Sequence, residues 1–118
     1  MLNLAVIEGE CCAPPEVRVL ESGTRLGTFS VRVRREGRRA VSLPVSVWDP
    51  PAWLPGLAGG DEVVVVGEVH RRFFRSGGPV PGVRVEVVAD SVTPGRDRRR
   101  VGAALRRAHR AIDSASGQ

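Results

Sequence analysis

The stretch that decides the fold runs from Arg25 to Trp48 and reads RLGTFSVRVRREGRRAVSLPVSVW. In its first half an apolar residue stands at every second position, at Phe29, Val31 and Val33. Because successive side chains of a strand point to opposite faces, these three residues are predicted to face a core. The Glu36-Gly37 pair that follows predicts a tight turn.

The chain beyond this turn, from Arg38 to Trp48, repeats the alternation. The residues predicted to point inward are Val41, Leu43, Val45 and Val47. The residues predicted to point outward are Ser42, Pro44, Ser46 and Trp48. Two alternating runs joined by a glycine-containing turn are typical of a β-hairpin.

The segments before the hairpin also have strand character. Leu2 to Glu10 alternates apolar and smaller or polar residues, and Pro14-Pro15 then breaks the pattern. The stretch from Glu16 to Leu20 is predicted to continue this first strand, and Ser22-Gly23-Thr24 reads as a turn into the hairpin.

After the hairpin, the segment from Asp49 to Gly60 is rich in proline and glycine, which leaves room for at most one helical turn around Ala52 to Leu57. Asp61 to Phe74 is a long strand candidate with Gly67 at its middle, where glycine predicts a bulge or a bend. A loop at 75–79 precedes the last strand, which begins near Val83 and ends near Val92.

The count is five predicted strands, with a short helical insert before the fourth. Such a pattern indicates an all-β domain and fits a five-stranded Greek-key barrel of the OB-fold type. The domain is predicted to span residues 1–93, and residues 94–118 form a basic C-terminal tail. Helical spacing in that tail predicts a helix when the tail is docked, on the apolar residues Val101, Ala104, Leu105, Ala108 and Ile112.

Charge is distributed unevenly along the chain. All 18 basic residues are arginine, and the formal net charge is +5. Residues 1–95 carry 11 arginines and 11 acidic residues, whereas residues 96–118 carry 7 arginines and 2 acidic residues. The excess of positive charge therefore lies in the tail. Nucleic-acid binding by the predicted barrel has to be argued from the local placement of its arginines and aromatic residues, not from its net charge.

Several classes of function are disfavoured. The longest apolar run, Val63 to Val66, is too short to span a bilayer, and the N-terminus lacks a signal-peptide pattern, so a cytoplasmic protein without a membrane partner is expected. The adjacent Cys11 and Cys12 are expected to be reduced, and they form no zinc-ligand pattern with two distant histidines. No catalytic, metal or phosphate-cradling motif is present, so neither an enzyme nor a cofactor is predicted.

The order of short motifs resembles the bacterial single-stranded DNA-binding protein (SSB) family over roughly residues 1–93. The matching pieces are Gly9, Pro15-Glu16-Val17-Arg18, Ser22-Gly23-Thr24-Arg25, Phe29-Ser30-Val31, Gly60 to Val69, Arg71-Arg72-Phe73-Phe74, Ser76-Gly77-Gly78 and Val85 to Val92. The chain departs from the family in lacking tyrosine and in having Ser42 where many members have tryptophan. It also lacks the family's acidic C-terminal tip, so tip-mediated recruitment of repair enzymes is not expected.

Binding of single strands without sequence preference needs cations along the phosphates and flat side chains on which bases stack. The resemblance implies stacking at Trp48 and Phe74, with Phe73 as a further candidate. Strand alternation sends one of Phe73 and Phe74 outward, and Phe74 is favoured. The candidate phosphate contacts are Arg32, Arg34, Arg35, Arg38 and Arg39 on the hairpin, and Arg71, Arg72, Arg75 and Arg84 on the last two strands. Phe29 is assigned to the core, and Trp53 is expected to pack against the barrel.

The resemblance implies a protein that coats and protects single-stranded DNA in replication, recombination or repair, associated with the nucleoid. It also implies a homo-oligomer, a tetramer or dimer, and burial of Val64 and Val66 on the second face of their strand suits such assembly. The arginine-rich tail either adds a salt-sensitive grip on nucleic acid, or is a disordered extension or subunit-docking helix. The alternatives for the whole chain are an OB-fold protein-interaction module and an RNA-binding module.

Overall fold

The computed structural model describes residues 1–74 and 82–116. The strands are β1 (Ala5–Cys11), β2 (Glu16–Val19), β3 (Arg25–Val33), β4 (Val41–Trp48), β5 (Glu62–Phe74) and β6 (Gly82–Pro94). A 3₁₀ turn, Leu54–Gly56, lies in the predicted helical insert, and the α-helix α1 (Arg98–Ser116) follows β6. The predicted loop at 75–79, with Arg75, falls outside the described residues.

The strands form one sheet that closes into a ring. Its order is β1-β5-β6-β4-β3-β2, and β1 also pairs with β3, so that five strands make the ring and β2 extends it at β3. The described residues therefore contain six strands rather than the predicted five. The reason is the Pro14-Pro15 break, since proline has a fixed φ and no N–H to donate, and Glu16–Val19 resumes as a separate strand paired only with β3. This mostly-β architecture is compatible with the predicted OB fold.

Two glycines permit the closure and the bend of the ring. A Cβ on Gly9 would meet the carbonyl oxygen of Arg32 and lie 2.8 Å from Val31 Cγ1, so glycine allows β1 to cross β3. A Cβ on Gly67 would meet the carbonyl oxygen of Val88, and the β5–β6 register shifts between Val66 and Gly67. The bulge predicted from Gly67 is thus confirmed.

The interior of the ring is filled by alternate residues of its strands. The core comprises Ile7, Cys11, Phe29, Val31, Val45, Val47, Leu54, Leu57, Val63, Val65 and Val87, with Trp53 packed against it. The core assignment of Phe29 and the packing of Trp53 are therefore confirmed. Val41, predicted to point inward, is 53% exposed, because it lies at the turn end of the β3–β4 hairpin, away from the buried centre of β4.

Helix α1 covers the outer face of the sheet at β5. Asp97 caps it by accepting a hydrogen bond from the Arg100 backbone N–H at 3.1 Å. Ala104 and Ala108 pack with Val66 and Leu4 in a second, small cluster. The predicted helix is present, although Leu105 and Ile112 of its apolar stripe remain exposed.

The same helix changes the interpretation of Val64 and Val66. Both are buried within the single chain, and Val66 is covered by α1. The inference from these two valines to a subunit interface was therefore wrong. A homo-oligomer stays an untested prediction of the resemblance.

Candidate nucleic-acid interface

The face of the ring opposite to its core carries a shallow groove across β3, β4 and β6. The pairings Thr28↔Ser46 and Ser30↔Pro44 place small side chains next to one another on this face. They line a cavity of about 280 Å³ together with Arg84 of β6, Glu16 of β2 and residues 12–14 between β1 and β2, and we call this cavity the outer groove. Small residues beside a guanidinium leave space for the flat base of a nucleotide, with the nucleotide's phosphate near the cation.

A buried carboxylate organises the cations beside this groove. Glu86 on β6 is only 6% exposed. Its Oε2 accepts a 2.7 Å hydrogen bond from Ser46 Oγ and lies 3.4 Å from Arg72 Nη1. Ser46, predicted to point outward, does lie on the outer face but is buried there because it serves this carboxylate.

Arg72 and Arg84 are direct cross-strand partners of β5 and β6. Two like charges in this position repel, and the neighbouring Glu86 offsets part of that repulsion through Arg72. Arg84 is exposed and makes no ion pair within residues 1–74 and 82–116. It is therefore free to contact a phosphate, whereas Arg72 is partly neutralised.

Trp48 stands at the end of β4, two residues beyond Ser46 on the same face. Trp48 is 46% exposed, so part of its indole is accessible to a ligand. The chain turns sharply after it at Asp49, whose φ is 49°, and the Asp49 N–H donates to the Arg25 carbonyl oxygen at 2.9 Å. Aspartate tolerates this left-handed conformation better than most residues do.

The hairpin arginines lie at the other end of β3 and β4, roughly 20 Å from Trp48 by strand length. Arg34 Nε is 3.6 Å from Glu10 Oε1, and Arg32 is half-buried opposite the same glutamate. The exposed arginines around the turn, which line a groove of about 510 Å³ facing β1, are Arg35, Arg38 and Arg39. The predicted phosphate contacts of the hairpin thus lie apart from Arg72 and Arg84 of β5 and β6.

Arg71 and Phe73 occupy the opposite face of the β5–β6 arm from Arg72 and Arg84, because strand residues alternate. Phe73 is 66% exposed, and the Arg71 guanidinium carbon lies 5.6 Å from its ring centroid. The partners of this pair on β6, Val83 and Val85, are also exposed. The predicted orientation of Phe74 lies outside the described side chains.

Sequence reasoning did not identify a second groove beside Trp48. The end of β4, the turn containing Trp53, β6 and α1 enclose a cavity of about 430 Å³, which we call the helix groove. Both tryptophans line it, as do Arg100 and Arg107. The helical period of the tail was visible in the sequence, but nothing local indicated which arginines would face Trp48 after docking.

The two cysteines differ in environment. Cys11 is buried and its Sγ donates to the Ala13 carbonyl oxygen at 2.9 Å, whereas Cys12 is half-buried. Burial raises the pKa of the Cys11 thiol, because the low-polarity surroundings disfavour the thiolate. Both are free thiols, and across the described part of the chain no three histidine, cysteine or acidic side chains are grouped to hold a metal ion.

Comparison with known proteins gives a structural likeness. No protein-family model and no curated protein sequence matches the chain. Among solved structures, a deletion variant of the single-stranded DNA-binding protein from Thermus aquaticus matches with a TM-score of 0.65 and 23% sequence identity. The match covers 79% of this chain but only 40% of that protein. This likeness supports the fold. Within the described residues no helix is long and apolar enough to cross a membrane.

Proposed function

We propose that this protein binds single-stranded DNA without sequence preference and protects it during replication, recombination or repair. Bases stack on aromatic side chains, and arginines contact the phosphates. The observation that carries the proposal is the exposed indole of Trp48 on the same face as the outer groove and Arg84. The fold likeness to a single-stranded DNA-binding protein supports it.

The strand path of this proposal follows the outer face. Arg84 holds a phosphate at the outer groove, a base lies over Thr28, Ser30 and Pro44, and the next base stacks on Trp48. The hairpin cluster of Arg35, Arg38 and Arg39 provides a further cationic site beyond the groove. By the resemblance to the SSB family, we place this activity in the cytoplasm at the nucleoid and expect a dimer or tetramer.

The test uses oligo-dT and the intrinsic fluorescence of the full chain. Because Trp53 also emits, the titration is carried out in a Trp53→Phe background, so that the signal reports on Trp48. We expect quenching on binding and an affinity that falls steeply with salt, since phosphate contacts release counterions. Absence of binding at low salt would refute the proposal.

Trp48→Ala in the full chain tests stacking. A stacked base contributes about 1–3 kcal/mol, so the variant should bind oligo-dT roughly 5- to 150-fold more weakly, measured by the anisotropy of labelled DNA. Trp48→Phe is the matched control, because a phenyl ring still stacks and should retain most of the affinity. Equal affinities of the alanine variant and the parent would contradict stacking at this residue.

One observation favours the alternative of a protein-interaction module. The exposed apolar side chains of Val69, Phe73, Val83 and Val85 share one face of the β5–β6 arm. In that case Phe73→Ser would abolish partner binding and leave any DNA affinity unchanged. Competition with unlabelled RNA of equal length separates the RNA-binding alternative from the DNA-binding proposal.

A further inference from the structure

The helix groove brings one face of α1 against the two tryptophans. Arg100, Ala103 and Arg107 line it from the helix. Their spacing of three and four residues places them on one side of α1, since a helix has 3.6 residues per turn. Trp48 and Trp53 line it from the other side.

The arginines of this wall are held in place by the docked helix. Val101, Ala104 and Ala108 on the neighbouring face are 1–5% exposed, and Asp97 caps the first turn. Arg100 and Arg107 are therefore presented at a fixed position beside the sheet. A freely moving basic tail would not place them there.

The arginine and indole groups that line the groove have few hydrogen-bond or ion-pair partners. Arg107 has no ion pair in the part of the chain that the structure describes, and the Arg100 guanidinium makes only a 3.9 Å contact with the exposed Asp97. A contact of this kind between exposed groups contributes little. Within the same residues, neither indole N–H donates a hydrogen bond.

The two walls differ in charge. The carboxylates of Asp49 and Asp90 line the groove from the sheet side, and the guanidinium groups line it from the helix side. Carboxylates repel phosphate, so a polynucleotide backbone in this groove has to follow the helix wall. Its base then points towards the indoles and the carboxylates, which accept hydrogen bonds from base N–H groups, the N3–H of thymine among them.

From this arrangement we propose that the helix groove is a nucleotide-binding site that continues the strand path past Trp48 onto α1. Arg100 and Arg107 contact successive phosphates, and the base between them packs against Trp48 or Trp53. The two grooves are neighbours, because Ser46 lines the outer groove and Trp48, two residues further along the same face of β4, lines the helix groove. The proposal rests on the proposed single-stranded DNA binding and gives α1 a direct part in it.

The test compares two double variants of the full chain that carry the same net charge. Arg100→Gln with Arg107→Gln removes the groove arginines, and Arg99→Gln with Arg106→Gln removes two exposed arginines of α1 that line no described groove. Each lost phosphate contact lowers the slope of log K against log salt by about 0.7 for a single strand. The first variant should therefore lose about 1.4 of slope and about 25-fold in oligo-dT affinity at 0.1 M salt.

The control variant should lose less than about twofold under the same conditions. Equal losses in the two double variants would mean that α1 acts only through its overall charge, and the proposal would be overturned. If the unmodified chain binds no oligo-dT, the proposed function itself fails, and the two failures are thereby distinguished. Circular dichroism verifies that both variants keep the helix, and Arg107→Gln alone, with half the slope change, serves if the double variant unfolds.

A second readout is independent of charge. In a Trp48→Phe background the only tryptophan is Trp53, which lines the helix groove and no other groove described above. Its emission should change on addition of oligo-dT, and the Arg100→Gln, Arg107→Gln pair should reduce the change. Oligo-dT that binds while Trp53 emission stays constant would overturn the site.

Discussion

The hydrogen bond between Ser46 and Glu86 offers a sharp test of how the outer face is built. Ser46 is 1% exposed, and its hydroxyl donates to the Glu86 carboxylate at 2.7 Å. Ser46→Ala removes this donor and leaves the carboxylate buried with only the 3.4 Å contact to Arg72. Because water reaches Glu86 poorly, the lost bond is not easily replaced.

A hydrogen bond to a charged group contributes about 1.5–3 kcal/mol to the free energy of unfolding. For a chain of this size that corresponds to a fall in Tm of roughly 5–15 °C. The matched control is Ser42→Ala, on the same strand and the same face but exposed. A surface substitution of this kind changes stability by less than about 0.5 kcal/mol.

Thermal unfolding followed by circular dichroism measures both variants against the parent chain. The expected order is parent, then Ser42→Ala close beside it, then Ser46→Ala clearly lower. Coincident melting curves for the two alanine variants would refute the buried Ser46–Glu86 contact. They would also mean that Glu86 does not offset the repulsion between Arg72 and Arg84.

Three further predictions concern the bulge, the cations and the thiols. Gly67→Ala should lower the free energy of unfolding in urea by about 2–3 kcal/mol, because the new Cβ meets backbone atoms of Val88. Gly56→Ala is the control, because the space around Gly56 is open and its stability should not change. Equal stability of the two variants would contradict the register of β5 and β6. Arg84→Gln should weaken oligo-dT binding about fivefold at 0.1 M salt through the loss of one phosphate contact. Arg34→Gln should weaken oligo-dT binding less, because Arg34 is already paired with Glu10. A larger loss of affinity in Arg34→Gln than in Arg84→Gln would count against the outer groove. Cys12 should react with a thiol reagent at pH 8 well before Cys11, because burial raises the pKa of the Cys11 thiol; labelling at equal rates, resolved by mass spectrometry, would contradict its burial.

Much of the fold follows from alternation in the sequence. The period of two in β3 and β4 correctly places Phe29, Val31, Val45 and Val47 in the core, and Gly67 correctly predicts the bulge of β5. These features depend on neighbouring residues alone. The sequence analysis joins Glu16–Val19 to the first strand, because four residues carry too little alternation to show that they pair with β3 instead.

The parts that could not be predicted depend on contacts between distant segments. Alternation places Ser46 on the outer face but says nothing of Glu86, 40 residues away, which buries it. Val64 and Val66 looked like an interface because the apolar face of β5 has no partner within its own strand pair. For Val66 the partner is α1, and the docking of this helix also brings Arg100 and Arg107 to Trp48.

The most direct test of the account is the salt dependence of oligo-dT binding, followed through Trp48 in the Trp53→Phe chain. We expect emission to be quenched as the DNA is added, and log K to fall linearly with log salt. Tight binding that ignores salt, or a Trp48 signal unchanged by any concentration of oligo-dT, would contradict the account.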